Sequence, residues 1–100
     1  MTNTKETANL GKWGRLHYTY LCNNKRTVIN VMRMEGTLRA YLEEFDKDTQ
    51  DSYEMLIKRT AEVENVTEEL KATDQMEWVR RMNNIRNRCE EFILREYVYQ

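Results

Sequence analysis

Apolar residues in the last quarter of the chain recur every three or four positions. They are Trp78, Met82, Ile85, Cys89 and Phe92, with Val79 and Ile93 beside them. At about 100° per residue, these positions fall on one face of an α-helix. Asp74 precedes Glu77 by three residues, the spacing of a capping box that opens a helix. The pattern predicts an amphipathic helix over residues 74–99 whose apolar face is core, with an aromatic end that either caps this core or docks onto a partner.

Shorter stripes of the same period predict helices nearer the N-terminus. Residues 12–22 carry Trp13, Leu16, Tyr20 and Leu21 at helical spacing, which places His17 and Tyr18 on other faces. Gly11 and Gly14 are expected to loosen the start of this helix, because glycine costs about 1 kcal/mol relative to alanine in a helix interior.

Residues 28–34 are almost continuously apolar and contain Val28, Ile29, Val31, Met32 and Met34. Their β-branching alone would favour a strand, but the sequence offers no second strand to pair with it. We therefore predict a buried helix. Gly36 should end it in the left-handed conformation, which glycine adopts without a Cβ penalty.

Two further amphipathic stripes lie at residues 38–45 and 53–63. The polar run between them, residues 46–52, is either a loop or the exposed stretch of one long helix. Asn65 is a candidate left-handed helix end, since asparagine tolerates that conformation. Residues 66–72 should hold a further helical turn or two.

The composition restricts the fold class. The chain has 100 residues, no proline and three glycines, too few turn-forming residues for a β-rich domain. We predict an all-α fold, a small single-domain bundle of about four to five helices. Residues 1–10 are polar and patternless and are interpreted as a flexible N-terminal arm, followed by the helical domain of residues 11–100.

The two cysteines and the distribution of apolar residues bear on the cellular compartment. Cys22 and Cys89 stand far apart among apolar neighbours, so we expect buried free thiols. No apolar run reaches the roughly 20 residues that cross a bilayer. The first residues lack the apolar core of a signal peptide. These features predict a cytoplasmic protein.

The sequence contains no group of residues that calls for catalysis. Adjacent carboxylates such as Glu68 and Glu69 diverge by about 100° on a helix and do not form an acid–base pair. His17 is the only histidine and has no nucleophile or metal-ligand spacing around it. Glycine-rich phosphate loops and zinc spacings are also lacking. We therefore predict a binding protein that is not an enzyme and uses no cofactor or metal.

The net charge of −1 hides an uneven distribution. Basic residues dominate the first 33 positions, acidic residues dominate positions 43–77, and arginines return in the last helix. Arginine and asparagine on a helix surface can contact phosphates and base edges, or pair with carboxylates of a protein. The residues selected as partner-binding candidates are Lys12, Arg15, Arg80, Arg86, Asn87 and Arg88.

An alternative interpretation gives part of the arginine set a structural role. Arg81, Arg88 and Arg95 recur every seven residues along one border of the apolar face, where acids of neighbouring helices could pair with them. Exposed pairs of this kind are worth about 0–1 kcal/mol each. The residues freest to meet a partner would then be Arg80, Arg86 and Asn87.

Three segments carry a resemblance to a known family. Residues 66–91 read VTEELKATDQMEWVRRMNNIRNRCEE, residues 11–16 read GKWGRL and residues 34–38 read MEGTL. They resemble TnpV, a family of small proteins encoded on bacterial transposons and conjugative elements. The resemblance spans about residues 11–99 and implies a mobile-element context without assigning a catalytic residue. Cys89 stands where the family resemblance leads us to expect a small residue such as alanine, which fits a packing position and argues against thiol chemistry.

Charge and resemblance together leave several functions open. One is binding of a protein partner, either a recombinase or a host defence nuclease. In the second case the acidic middle would mimic phosphates and give a counter-defence (anti-CRISPR) inhibitor. The alternative is a DNA-binding accessory or regulatory factor for transposition or excision, against which the acidic isoelectric point counts. A homodimer formed through apolar faces is a third possibility.

Overall fold

Residues 8–99 are the part of the chain that the computed structural model describes, and they form helices joined by short connections. The elements are α1 (Lys12–Asn24), α2 (Arg26–Glu35), α3 (Leu38–Val63), α4 (Glu68–Thr73), α5 (Gln75–Ile93) and a closing π-helical turn (Leu94–Val98). No strand occurs among these residues. The all-α class and the predicted number of helices are therefore confirmed. The interpretation of residues 1–7 as an arm lies outside the described residues.

Two of the helix ends are left-handed residues, as predicted. Gly36 follows α2 with φ 75°, and its amide donates to the carbonyl of Arg33. Asn65 follows α3 with φ 60°. A further connection is very short, because Lys25 alone separates α1 from α2.

The polar run of residues 46–52 lies inside the 26-residue helix α3, which decides between the two predicted alternatives. The run is not wholly exposed, however. Thr49 is 1% exposed and Asp46 is half-buried, because both face the interior. The carboxylate of Asp46 accepts a hydrogen bond from the amide of Gly14, 2.9 Å away in the first turn of α1.

Gly14 allows α1 to approach α3 closely, and its effect on the stability of the helix start stays a prediction. A Cβ atom at this position would lie 3.3 Å from the carbonyl oxygen of Leu42 and 3.1 Å from Cβ of Asp46. A Cβ at Gly11 would lie 2.6 Å from the same carboxylate. Both glycines therefore make room for Asp46 at the N-terminus of α1.

Helix α1 is buried on more sides than its stripe indicated. His17 and Tyr18, which the pattern placed on other faces, are 4% and 1% exposed. The reason is that α1 packs against α2, α3 and the π-helical turn at once. Leu10 is also buried, so the described end of the predicted arm belongs to the core.

The buried face of α5 differs from the predicted one at its C-terminal end, where Ile93 and not Phe92 faces the core. Met82, Ile85, Cys89 and Ile93 are buried, whereas Phe92 is 40% exposed and Val79 is 41% exposed. The side chain of Asp74 accepts a hydrogen bond from the amide of Glu77 at 3.1 Å, which confirms the predicted N-cap. The α-helix ends at Ile93, not at residue 99, and the turn after it buries Val98 completely. The end of the chain thus packs Val98 into the core and leaves Tyr97 and Tyr99 41% and 48% exposed.

Three clusters of buried side chains make up the interior. One joins α1, α2 and the start of α3, and a second joins the end of α3 to α4 and α5. The third surrounds Trp13, Ile93 and Val98. Tyr53 and Leu56 of α3 pack against both the second and the third cluster. Cys89 is a buried free thiol and Cys22 a half-buried one, close to the prediction.

Candidate functional site

Arg88, one of the predicted partner-binding residues, forms an ion pair within the molecule. Its Nη1 and Nη2 atoms each donate to a carboxylate oxygen of Glu64 at 2.8 Å, which ties α5 to the end of α3. Hydrogen bonding from the guanidinium holds the pKa of Glu64 below its ordinary value and raises that of Arg88. The paired-arginine interpretation applies to this residue.

Arg80 is also paired, contrary to the prediction that it is free. It donates to Glu77 one helical turn earlier, and Arg81 donates to the other oxygen of the same carboxylate at 2.7 Å. These two guanidinium groups lower the pKa of the Glu77 carboxyl. Arg80 is paired because the Glu77 carboxylate accepts hydrogen bonds from Arg80 and Arg81 and does not complete a capping box.

The remaining candidates are one paired residue, Lys12, and three residues without an ion pair. Lys12 forms an ion pair with Glu90 of α5. Within residues 8–99, no ion pair involves Arg15, Arg86 or Asn87; Arg86 donates only a long hydrogen bond of 3.4 Å to Asn83. Of the six predicted residues, these three keep exposed polar groups that form no ion pair with an acid of the described residues.

A surface on α2 is the feature that the sequence reasoning missed. Val28, Val31 and Met34 are 48%, 46% and 87% exposed, although residues 28–34 were predicted to be buried. A spacing of three residues keeps these side chains within an arc of about 120°, roughly opposite the buried Ile29. We call Val28, Val31 and Met34 the α2 outer face.

Basic and amide side chains border the α2 outer face on one side. They line a polar cleft of about 300 Å³ between α1 and α2, formed by Cys22, Asn23, Arg26, Ile29, Asn30 and Arg33. Arg33 is fixed there, because it donates to Asn30 and to the hydroxyl of Tyr18 at 3.2 Å each. An apolar centre with an arginine rim is the usual composition of a protein interface.

The sequence did contain a signal for this surface. Arg33 and Asn30 interrupt the apolar stretch on one side of Ile29, about 40° and 100° from it around the helix, which narrows the inward stripe. A helix with one narrow inward stripe and further apolar residues opposite cannot bury both sides in a chain of this size.

A comparison with known proteins identifies the family of this chain. The family model described as transposon-encoded protein TnpV matches residues 1–98. The chain belongs to the TnpV family. The match includes residues 1–10, which the resemblance had left outside. No curated protein and no solved structure matches the chain.

The single histidine of this TnpV-family protein is a buried structural residue. Nδ1 of His17 donates to the carbonyl oxygen of Val98 at 2.9 Å, so Nε2 accepts from the hydroxyl of Tyr41 at 2.8 Å. Burial lowers the pKa of His17, and the hydrogen bond to Val98 offsets part of this effect. Both ring nitrogens are thus used to fasten the end of the chain to α1 and α3.

Residues 8–99 lack two features, a cluster of metal ligands and a membrane-spanning helix. No group of three or more histidine, cysteine, aspartate or glutamate side chains among residues 8–99 could hold a metal ion. None of the helices in this part of the chain combines the length and the apolar character that a membrane-spanning segment needs.

Proposed function

We propose that this TnpV-family protein is a non-enzymatic interaction module that binds a protein partner through the α2 outer face. The observation that carries the proposal is the exposure of three large apolar side chains on one side of α2. Contiguous exposed apolar residues with a polar rim are typical of interaction sites. Membership of a transposon-encoded family supports a partner that the protein meets in that context.

The form of the surface favours insertion of α2 into a groove. A 10-residue helix is about 15 Å long, and partner grooves read such helices through residues spaced three or four apart. Arg26 and Arg33 on the rim favour a groove bordered by carboxylates. Pairing α2 with a second copy of itself would bury too little area, since stable interfaces bury about 1,200 Å² or more.

Two classes of protein partner fit the family context. The first is the recombinase of the same transposon. The second is a host defence nuclease, which would make the protein a counter-defence (anti-CRISPR) inhibitor. The acidic segment of residues 43–77 would mimic phosphates less well than its composition indicates. Arginines of this chain neutralise Glu43, Glu64 and Glu77 in that segment.

DNA binding is the second candidate function, and one observation favours it. Between residues 12 and 36 the chain has Lys12, Arg15, Lys25, Arg26 and Arg33 but only one acid, Glu35. Helix α2 could then contact DNA directly, as an accessory factor in transposition would. This alternative depends on backbone phosphates and therefore on salt concentration.

The decisive experiment measures binding of the purified protein to three immobilised ligands: the recombinase, a CRISPR nuclease and transposon-end DNA. The test variant is Val31→Asp/Met34→Asp. The control, Met55→Asp/Val63→Asp, places the same charges at exposed apolar positions of α3, where Met55 and Val63 are 59% and 81% exposed. We expect binding to one protein that the test variant loses and the control keeps, with unchanged circular dichroism.

The contrary outcomes are equally specific. Tight binding to DNA that falls steeply between two salt concentrations would replace the proposal with the DNA-binding alternative. Protein binding that survives the test variant would place the interface elsewhere on the molecule.

A further inference from the structure

A second surface feature lies on the side of α3 that faces the π-helical turn. It is a cleft of about 330 Å³ whose lining includes Tyr41, Glu44, Phe45, Asp48, Thr49 and Tyr97. Three aromatic rings and two carboxylates thus meet around one opening. We call it the aromatic cleft.

The fold sets this arrangement. Tyr41, Glu44, Phe45 and Asp48 follow one another at spacings of three, one and three, which places them on one face of α3. Tyr97 comes from the π-helical turn, which the hydrogen bond between Val98 and His17 holds in place. The cleft therefore exists only because the end of the chain folds back onto α1 and α3.

Two of the three rings, those of Tyr41 and Phe45, are held in place before any ligand arrives. His17 stacks on Phe45 with centroids 4.0 Å apart and planes 13° apart, and its Nε2 accepts from the Tyr41 hydroxyl. The Tyr41 and Phe45 centroids are 6.3 Å apart. Tyr41 and Tyr97 keep 40% and 41% of their surface exposed. The rings of Tyr41 and Tyr97 thus stay open to a ligand, and the restrained rotamers of Tyr41 and Phe45 lower the entropic cost of binding.

The carboxylates of the cleft are not engaged by basic side chains of the described residues, whereas those of several other glutamates are. Glu43, Glu64, Glu77 and Glu90 each pair with an arginine or a lysine. Glu44 and Asp48, in contrast, are exposed and form no ion pair within residues 8–99. Lys47 lies between them in sequence, but its position is rotated by about 100° from Asp48 and it does not line the cleft.

We propose that the aromatic cleft binds an organic cation, either a methylated ammonium group or a guanidinium group. Aromatic faces attract such cations through their quadrupoles, and most strongly where water is partly excluded. Glu44 and Asp48 add two carboxylates that no residue of the described chain neutralises. The cation can belong to a free small molecule or to a side chain of a protein. The proposal does not rest on the α2 outer face, which lies on a different element.

The test is an NMR titration of the full chain that follows the ring resonances of Tyr41, Phe45 and Tyr97. The probes are choline and a short peptide with one arginine. Their neutral isosteres, 3,3-dimethylbutan-1-ol and the same peptide with citrulline, serve as matched controls. We expect weak, saturable binding of a cationic probe, with binding of its isostere about tenfold weaker or undetectable, as the loss of one charge contact and the cation–π attraction would give.

Two variants locate the site, and neither changes a buried residue. Glu44→Gln/Asp48→Asn should weaken binding about tenfold, since two carboxylates near a partly desolvated cation are lost. Tyr97→Leu, which keeps an apolar side chain but removes the ring, should weaken it as well. The control Glu62→Gln/Glu69→Gln removes the same charge outside the cleft; residue 62 is about 21 Å along α3 from residue 48. This control should bind as the wild type does.

The outcomes separate the two sources of the cation. Binding of choline alone supports a free methylated amine, binding of the arginine peptide alone supports a protein side chain, and binding of both supports the shared chemistry. The proposal is overturned if neither probe moves the three ring resonances. Equal affinity for the neutral isosteres, or equal weakening in the Glu62/Glu69 control, overturns it too.

Discussion

Asp46 lies near the middle of α3, yet its carboxylate completes the N-terminus of another helix. The N-cap of α1 is Gly11, which has no side chain to accept from the first amides. Asp46 accepts from the amide of Gly14 instead, at 2.9 Å. A carboxylate at this end of a helix satisfies an unpaired donor and lies favourably in the helix dipole.

Replacement of Asp46 should therefore cost as much as the loss of an N-cap. We expect Asp46→Ala to lower the free energy of unfolding by about 1 kcal/mol, and Asp46→Asn to keep most of the stability because its amide oxygen can still accept. Denaturant unfolding monitored by circular dichroism measures the difference. Asp51→Ala removes an exposed acid of the same helix and should change little. Equal losses in Asp46→Ala and Asp51→Ala would contradict the capping role.

His17 predicts a pH dependence with a definite sign. Its pKa is lowered in the folded protein because the ring is buried. Between the folded pKa and the ordinary value of about 6.5, the unfolded chain binds more protons than the folded one, so stability rises with pH in this window. We expect the thermal midpoint to hold above about pH 7 and to fall as the pH drops through about 6.5, a range below which carboxyl groups begin to titrate.

The variant His17→Gln separates this effect from others. The chain has one histidine, so the variant has no imidazole left to titrate. Its thermal midpoint should be lower at neutral pH and nearly constant across the window. A decline with falling pH that persists in His17→Gln would assign the dependence to other groups.

At the scale of single elements, α5 illustrates what a hydrophobic pattern can and cannot specify. Its existence, its N-cap at Asp74 and the inward positions Met82, Ile85 and Cys89 follow from the spacing. The pattern does not decide between Phe92 and Ile93, because both border the same stripe. Tertiary packing decides: Ile93 is 1% exposed beside Trp13, whereas Phe92 remains 40% exposed.

Truncation of these two neighbours should give unequal losses. Ile93→Ala deletes buried methyl groups from a packed cluster and should cost about 2–5 kcal/mol. Phe92→Ala removes a larger but half-exposed ring and should cost about 1 kcal/mol or less. Urea denaturation compares the two variants directly. A larger loss in Phe92→Ala would mean that Phe92, as the sequence pattern predicts, and not Ile93 faces the core.

For helix α2, the sequence predicts the local structure correctly but not the burial. Its helical state and its end at Gly36 were predicted correctly, since both depend on local residues. Its burial was not, because the number of neighbours that cover a helix is a property of the whole fold. Among the described elements, α1 and α3 are the ones that pack extensively against α2, and they cover the side of Ile29. The aromatic cleft was missed for a related reason: residues 41–48 and Tyr97 are distant in sequence.

The ion pair of Arg88 and Glu64 offers a test of role at the scale of two elements. We expect Arg88→Glu to lower stability, because it places two carboxylates where α3 ends against α5, and to leave partner binding intact. The double variant Glu64→Arg/Arg88→Glu should recover part of the loss, and high salt should reduce the difference. Thermal unfolding at two salt concentrations measures both. Loss of partner binding with unchanged stability would assign Arg88 to the interface after all.

The molecule as a whole is 55 Å long and only about 22 Å across, so its ends share few direct contacts. What joins them is α3, which runs through all three clusters and contributes Tyr53 and Leu56 to two of them. Separate unfolding of the ends would require α3 to break in its middle, where Thr49 is buried and Gln50 accepts from Nε1 of Trp13 at 2.7 Å. A shared helix of this kind couples the clusters.

The two tryptophans allow this coupling to be measured. Trp13 lies in the third cluster and Trp78 packs against the second, so each reports on a different part of the molecule. We expect Trp78→Phe, which leaves Trp13 as the only tryptophan, to show the same denaturant midpoint by tryptophan fluorescence and by far-ultraviolet circular dichroism. Trp13→Phe should be less stable, yet its Trp78 signal should again coincide with its own dichroism. Coincident transitions are the signature of two-state unfolding. A Trp78 signal lost at lower denaturant than the dichroism would instead show that α4 and the start of α5 unfold first, and that α3 does not bind the two ends into one cooperative unit.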